Sequence, residues 1–428
     1  PVVQQAAPAV VNIYAKRIVA TRVSPFANDP FFQDFFGDFS RVEPRLQNSL
    51  GSGVILTSDG MVVTNYHVVG QATDITVVLS DRREFQAQIV LADEDSDLAI
   101  LSIENVRNLP YLPLRRGDSV DVGELVLAIG NPFGIGQTVS SGIISGLARS
   151  GTATGNARGY FLQTDAPINP GNSGGALVDM NAELLGVNTS ILTRSGGSNG
   201  IGFAIPAPLV AQFLQQAQSG KTTFERPWAG VTAQPMDADI AASLGFDRPF
   251  GVLIVQLHPQ SPFKAAGLDV GDIITAANGH EVNTPSELFY HLSVVGQGGR
   301  MTLSTVDQAG QTAQRAVNLM APPQEVQTSQ TPYRLRTAEV LEGLEILNLT
   351  PELRYEQSIP NGVEGVFVVD PGPVAGRIGV RQGDVIIGVG SQAVTDISAL
   401  GPLLARSGRV LTITILRGGA RVRLRAML

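Results

Sequence analysis

Cysteine is absent from this 428-residue chain, which excludes disulfides, zinc–thiolate sites and thiol nucleophiles together. The absence leaves the compartment open, since a cysteine-free protein works in reducing and oxidising surroundings alike. No apolar run approaches the roughly 18 residues needed to span a bilayer. Charge is sparse: 16% of residues are charged and the net charge is −8, a balance that favours neither nucleic acid nor an anionic membrane surface. The chain opens on Pro1 with no initiator methionine. Removal of a leader or tag is the expectation, and with it export.

Hydrophobic residues make up 43% of the chain, enough for packed cores. This length predicts about two to four domains. Gly 47 and Pro 26, set among short Val/Ile-rich runs, point to mainly β structure with many turns. The runs Ile75–Leu79, Gln88–Leu91, Leu98–Ile103, Leu125–Ile129, Gly142–Ser145 and Leu184–Val187 read as strands of a β-barrel domain over residues 1–222. Ser58-Asp59-Gly60 reads as a hairpin turn. Pro208–Gln218 has apolar residues at helical spacing, and Thr222–Arg226 reads as a linker.

The second half contains a repeat. Gly271-Asp272-Ile273-Ile274 and Gly383-Asp384-Val385-Ile386 lie 112 residues apart, each preceded by a Gly-Val strand signature at Gly251 and Gly365. A period this long means two tandem domains, 226–321 and 335–428. The Pro/Gln/Thr-rich segment 322–334 is the expected linker. Segment Ser24–Asn48 holds six of the 17 phenylalanines and reads either as a mobile surface loop or, the reading favoured, as a loop whose aromatics pack on a neighbouring subunit or over the active site.

The chemistry concentrates in Gly171-Asn172-Ser173-Gly174-Gly175, where glycines on both sides of a serine suit a tight turn presenting backbone N–H groups. No lysine follows, and the segment runs into the strand-like Ala176-Leu177-Val178, which argues against a phosphate cradle. A serine hydroxyl needs an adjacent base. His67 supplies one, and Asp97, just ahead of an apolar strand, suits the acid that orients it better than the turn-like Asp93 and Asp95.

With Gly51-Ser52-Gly53-Val54, Thr64–Val69, Asp97-Leu98-Ala99, Ile129–Gly134, Gln163–Ala166, Gly171–Gly175 and Gly200–Pro206, the chain resembles the HtrA (Deg) serine proteases, closest to the DegP/DegQ type with two PDZ domains. The resemblance implies a chymotrypsin-like double β-barrel followed by two PDZ domains. It makes Ser173 the nucleophile, His67 the general base and Asp97 its partner. The turn Gly171-Asn172-Ser173 forms the oxyanion hole, with the N–H groups of Gly171 and Ser173 as donors. Ile168 and Ile191 line the S1 pocket, so small aliphatic P1 residues are expected. Asn172 stands where zymogens of the wider group carry an acid, so loop ordering, not a cut N-terminus, should activate the site.

The first PDZ loop is Trp228-Ala229-Gly230-Val231, and the second is Leu341-Glu342-Gly343-Leu344, where Glu342 should repel a carboxylate, so that an assembly contact without peptide binding is as well supported for the second copy as ligand capture. No metal or cofactor is required. The implied partners are unfolded or misfolded polypeptides and their C-termini, with trimers that enlarge to hexamers or cages and no nucleic acid. The implied setting is the bacterial periplasm, with protein quality control and chaperone-like holding as the work. Two other readings are a chaperone or scaffold with a dormant site, and a regulatory protease for one signalling substrate.

Overall fold

In a computed structural model of the chain, the described residues are 1–23, 41–115, 120–131, 136–150, 159–169, 171–191, 200–323, 332–335, 340–350, 363–406 and 410–427, with five isolated positions. They divide into two units, Pro1–Arg226 with Ser286–Gly296, and Pro227–Pro285 with Gln297–Leu428.

The first unit contains two closed six-stranded barrels. Strands β1 (Val10–Val23), β2 (Arg41–Ile55), β3 (Met61–Thr64), β4 (Asp74–Val78), β5 (Glu84–Asp93) and β6 (Leu98–Ile103) form one. Strands β7 (Leu125–Gly130), β8 (Thr138–Ser150), β9 (Tyr160–Thr164), β10 (Ala176–Val178), β11 (Leu184–Ile191) and β12 (Gly202–Pro206) form the other. Closure leaves no unpaired sheet edge, and the inward residues of each strand fill the interior. Ile13, Val54, Val63, Leu91, Ile100 and Leu101 are fully buried in the first barrel's core, and Val126, Ile144, Leu162 and Leu177 in that of the second.

Local sequence explains the joints. The hairpin between β2 and β3 turns at Gly60, whose φ of +100° suits glycine; a Cβ there would also lie 2.8 Å from the Ile103 carbonyl. Helix Ala207–Gln218 buries Leu209, Val210 and Phe213, follows a proline N-cap and ends before Gly220.

Two expectations are corrected here. Residues 41–48 belong to β2, which pairs with β1 as far as Val23↔Arg41, so the phenylalanine-rich segment is shorter as a loop than its composition suggested. Its phenylalanines, at positions 26 to 39, lie outside the described residues. Thr222–Arg226 is not a loose linker either. Thr223 bridges Ala92 of β5, the Glu225 backbone exchanges two hydrogen bonds with the Gln216 side chain at 2.8 and 3.0 Å, and Phe224 stacks on Phe213 at 4.0 Å. The buried ring sets the path of this strap, an effect that a window of polar residues hides.

In the second unit, β13 (Val231–Pro235), β14 (Val252–Leu257), β15 (Ile273–Ala277), β16 (His280–Glu281), β17 (Arg300–Val306) and β18 (Thr312–Asn318) form one antiparallel sheet with β13 as its terminal strand. A second sheet holds β19 (Tyr333–Arg334), β20 (Glu345–Asn348), β21 (Val366–Asp370), β22 (Val385–Val389), β23 (Gln392–Ala393), β24 (Val410–Arg417) and β25 (Ala420–Met427). The repeated Gly-Asp pair does the same work in both. Asp272 accepts from the Asp269 N–H at 2.8 Å and Asp384 from the Arg381 N–H at 2.7 Å, each closing the turn into its strand. Asp384 is further gripped by Arg417 through two bonds of 2.7 Å. Among the described residues no helix is long and apolar enough to cross a membrane.

Replacing Phe224 with alanine should cost about 3 kcal/mol, the usual penalty for emptying a buried aromatic site. Chemical unfolding of the first unit reads it, and an unchanged midpoint would show that the strap packs nothing.

Candidate active site

Strand β3 ends at Thr64, and the extended Asn65 leads into a one-turn helix, Tyr66–Val69, that carries His67 to the surface. The Asp93–Asp97 turn faces it. The His67 N–H donates to Asp97 Oδ1 at 3.0 Å, and His67 Nδ1 lies 2.9 Å from both Asp97 carboxylate oxygens. A carboxylate so placed holds the proton on Nδ1 and leaves Nε2 free to accept another. Asn65 Nδ2 donates to the Asp97 carbonyl at 2.9 Å. Asp97 itself has φ of +52°, an uncommon backbone for a non-glycine residue that persists where neighbours enforce it.

One enforcing neighbour is Arg226. It donates to both oxygens of Asp93, at 3.0 and 2.5 Å, and to Ser96 Oγ at 2.7 Å. The Ser96 N–H in turn donates to Asp93 at 2.8 Å. Burial pushes the Asp93 carboxyl up, but the guanidinium and the Ser96 bonds outweigh it and hold the group below the usual carboxylate range. The acid set aside as a plain turn residue therefore anchors the turn that delivers Asp97.

Ser173 comes from the second barrel, on the loop ahead of β10. Its Oγ donates to the Thr189 carbonyl at 2.8 Å, while Thr189 Oγ1 donates to Asp97 Oδ2 at 2.5 Å. Thr189 on β11 thus touches both the serine and the acid. Sequence reasoning missed it, because one threonine in Asn188-Thr189-Ser190 carries no motif.

The glycines around Ser173 are dictated by close approach. Gly174 has φ of +83°, and a Cβ on it would lie 2.1 Å from the Ser52 carbonyl. Ser52, fully buried on β2, grips the loop at two points. Its N–H donates to the Ser173 carbonyl at 2.8 Å, and its Oγ donates to the Gly171 carbonyl at 2.6 Å while accepting from the Asn131 N–H at 2.9 Å. Thr64 Oγ1 holds the Ser52 carbonyl at 2.7 Å. The Asn172 N–H closes a turn onto the Asn169 carbonyl at 3.0 Å, so of the expected turn Gly171-Asn172-Ser173 its middle amide is already engaged. The peptide bearing the Gly171 N–H begins at position 170, outside the described residues.

Ile168 is buried beside Gly202, where a Cβ would fall 2.7 Å from Ile168 Cδ1. Of Ile191 the structure describes the backbone alone, paired with Gly202. In the second unit Trp228 packs over Gly230. The Ala229 carbonyl accepts from Ser261 Oγ at 2.5 Å, and the Gly230 carbonyl accepts from the His258 N–H at 2.8 Å. Because a trans peptide sets its C=O and N–H on opposite sides, the Gly230 and Val231 amides face away from those anchors, at the start of terminal strand β13.

A trypsin-like peptidase domain matches residues 51–187, and PDZ domains match 226–306 and 365–417. The chain is 38% identical to the periplasmic serine endoprotease DegP of Escherichia coli (strain K12), over 93% of this chain and 81% of that protein. It is 36% identical to the periplasmic pH-dependent serine endoprotease DegQ of the same strain, over 99% and 90%. Among solved structures, the HtrA-type protease AlgW with decapeptide is 36% identical, covering 75% of this chain and 98% of that one at a TM-score of 0.54.

Asp93→Asn should destabilise the first unit by roughly 2 kcal/mol, since it takes from the partly buried Arg226 the carboxylate that accepts two of its hydrogen bonds. A folded carboxyl held below its unfolded value of about 3.9 stabilises the fold above that value and loses the contribution as pH falls through the folded one. The gap between wild type and variant should therefore be full at neutral pH and close as the medium is acidified below about pH 4. A gap that stays constant on acidification would assign the loss to packing.

Proposed function

The chain belongs to the HtrA-type serine endoproteases of the DegP/DegQ kind, and we propose that it degrades unfolded polypeptides in the bacterial periplasm through a Ser173–His67–Asp97 triad. It is a serine endopeptidase that binds protein substrates. The observation carrying the triad is the His67–Asp97 pair at 2.9 Å, linked through Thr189 to Ser173, whose loop requires glycine at position 174.

In the proposed reaction Ser173 Oγ leaves the Thr189 carbonyl and gives its proton to His67 Nε2 as the oxygen bonds to the scissile carbonyl carbon. Asp97 steadies the imidazolium, and Thr189 and Asn65 hold Asp97. The amides of Gly171 and Ser173 receive the oxyanion. His67 then protonates the leaving amine, and water, deprotonated by the same ring, releases the acyl group and restores the serine. Ile168 beside Gly202, with Ile191, gives a short apolar S1 pocket in which Val, Ala or Ile at P1 is preferred over a charged side chain.

The first PDZ domain captures extended apolar segments or C-termini, its outward amides at Gly230 and Val231 receiving carboxylate or carbonyl oxygens and β13 offering an edge for strand addition. A homotrimer that enlarges around substrate, and holding of unfolded chains without cleavage, complete the proposal.

Ser173→Ala should lower cleavage of an unfolded protein by roughly 10⁴-fold or more and abolish labelling by a fluorophosphonate, with folding unchanged. Undiminished hydrolysis would falsify the assignment, and cut sites mapped after Arg or Lys would sink the S1 reading. Ser52→Ala removes the hydroxyl that holds the Gly171 carbonyl, so kcat should fall roughly 10- to 100-fold with KM nearly constant, as for a weakened oxyanion hole. A rise in KM at constant kcat would place Ser52 in substrate binding instead.

A further inference from the structure

The two PDZ sheets differ at one edge. In the first, β13 is the terminal strand, whereas in the second the corresponding β20 has β19 on its outer side and β21 on its inner side. That outer strand is Tyr333-Arg334, part of the segment expected to be linker. It runs antiparallel to β20, with Tyr333 opposite Ile346 and Arg334 opposite Glu345. At the loop Leu341-Glu342-Gly343-Leu344, the Leu335 N–H donates to the Leu344 carbonyl at 2.9 Å and the Gly343 N–H donates to the Leu335 carbonyl at 3.1 Å. Leu335 is 4% exposed and lies in one apolar cluster with Leu341, Leu344 and Ile346, joined by Leu400 and Leu404 of helix Ile397–Ala405.

From this we infer that the second PDZ groove is filled in cis by Tyr333-Arg334-Leu335, and that it takes internal extended segments with a leucine-like anchor instead of free C-termini. The segment holds every position that strand addition requires: antiparallel direction, backbone pairing with β20, and an apolar side chain sunk beside the loop. The loop chemistry selects for an uncharged end. Gly343 donates to a peptide carbonyl, and the neighbouring Glu342 is exposed and negative, which costs a neutral carbonyl nothing but repels a carboxylate. The Arg334 guanidinium lies 3.7 Å from Glu345, so a basic residue ahead of the anchor is tolerated or preferred. Because the occupant is tethered to its own domain, its effective concentration far exceeds that of a free peptide, and a partner binds only after displacing it.

Two measurements on the full chain test this. The protein lacks cysteine, so Arg334→Cys with Glu345→Cys places the only two thiols at directly opposite positions, one exposed and one half-buried. Mild oxidation should close the disulfide nearly completely, and thiols that stay reactive to maleimide in the folded protein would overturn the pairing. The second uses a fluorescent peptide Thr-Pro-Tyr-Arg-Leu, as amide and as free acid, with Leu335→Asp to expel the native segment. The variant should bind the amide at least 10-fold more tightly than wild type does, and gain less for the acid, whose binding at the first PDZ loop is the same in both. Glu342→Gln in that background should narrow the difference. Equal affinity of wild type and variant for the amide, or a gain on unseating the segment that is larger for the acid than for the amide, would refute the proposal. Should the Asp variant fail to fold, the disulfide result decides alone.

Discussion

One carboxylate joins the two barrels. Asp97 receives the backbone and ring of His67 from the first barrel and the Thr189 hydroxyl from the second, and its own carbonyl takes a bond from Asn65. A charge so placed is satisfied only when both barrels are in register, and the Arg226–Asp93 pair holds the turn that precedes it. Ser52 repeats the logic from the opposite direction, reaching from the first barrel to grip Gly171 and Ser173 on the second. The site is therefore a seam, and its geometry reports how well the barrels fit.

Much of this seam was legible in the order of residues. His67, Asp97 and the glycine-flanked Ser173 declare themselves because their chemistry needs rare residue types at constrained backbone positions. The β runs were legible for a similar reason, since alternation of Val, Ile and Leu with polar residues has few alternative uses. Ser52 and Thr189 were invisible as parts of the site, because serine and threonine are common and act here through bonds that span 119 and 92 residues. Arg226 was hidden by its surroundings: a polar stretch after a helix reads as linker until Phe224 and Asp93 give it something to hold.

The tandem repeat was equally plain in sequence, through the Gly-Asp turns and the apolar strands that precede them. What composition could not reveal is that the copies differ at one sheet edge. A Pro/Gln/Thr-rich stretch looks like spacer, yet three of its last residues or their neighbours carry the spacing of an antiparallel partner to β20. Glu342 alone hinted at the divergence, by spoiling one loop for a negatively charged end while leaving the other unspoiled.

The split origin of the reactive groups has a further consequence for biogenesis. His67 and Asp97 emerge early in synthesis, but Ser173, Thr189 and the Arg226 strap lie far downstream. A nascent or partly threaded chain thus carries the first half of its chemistry with nothing to activate. The proposed triad is therefore complete only once the second barrel has closed.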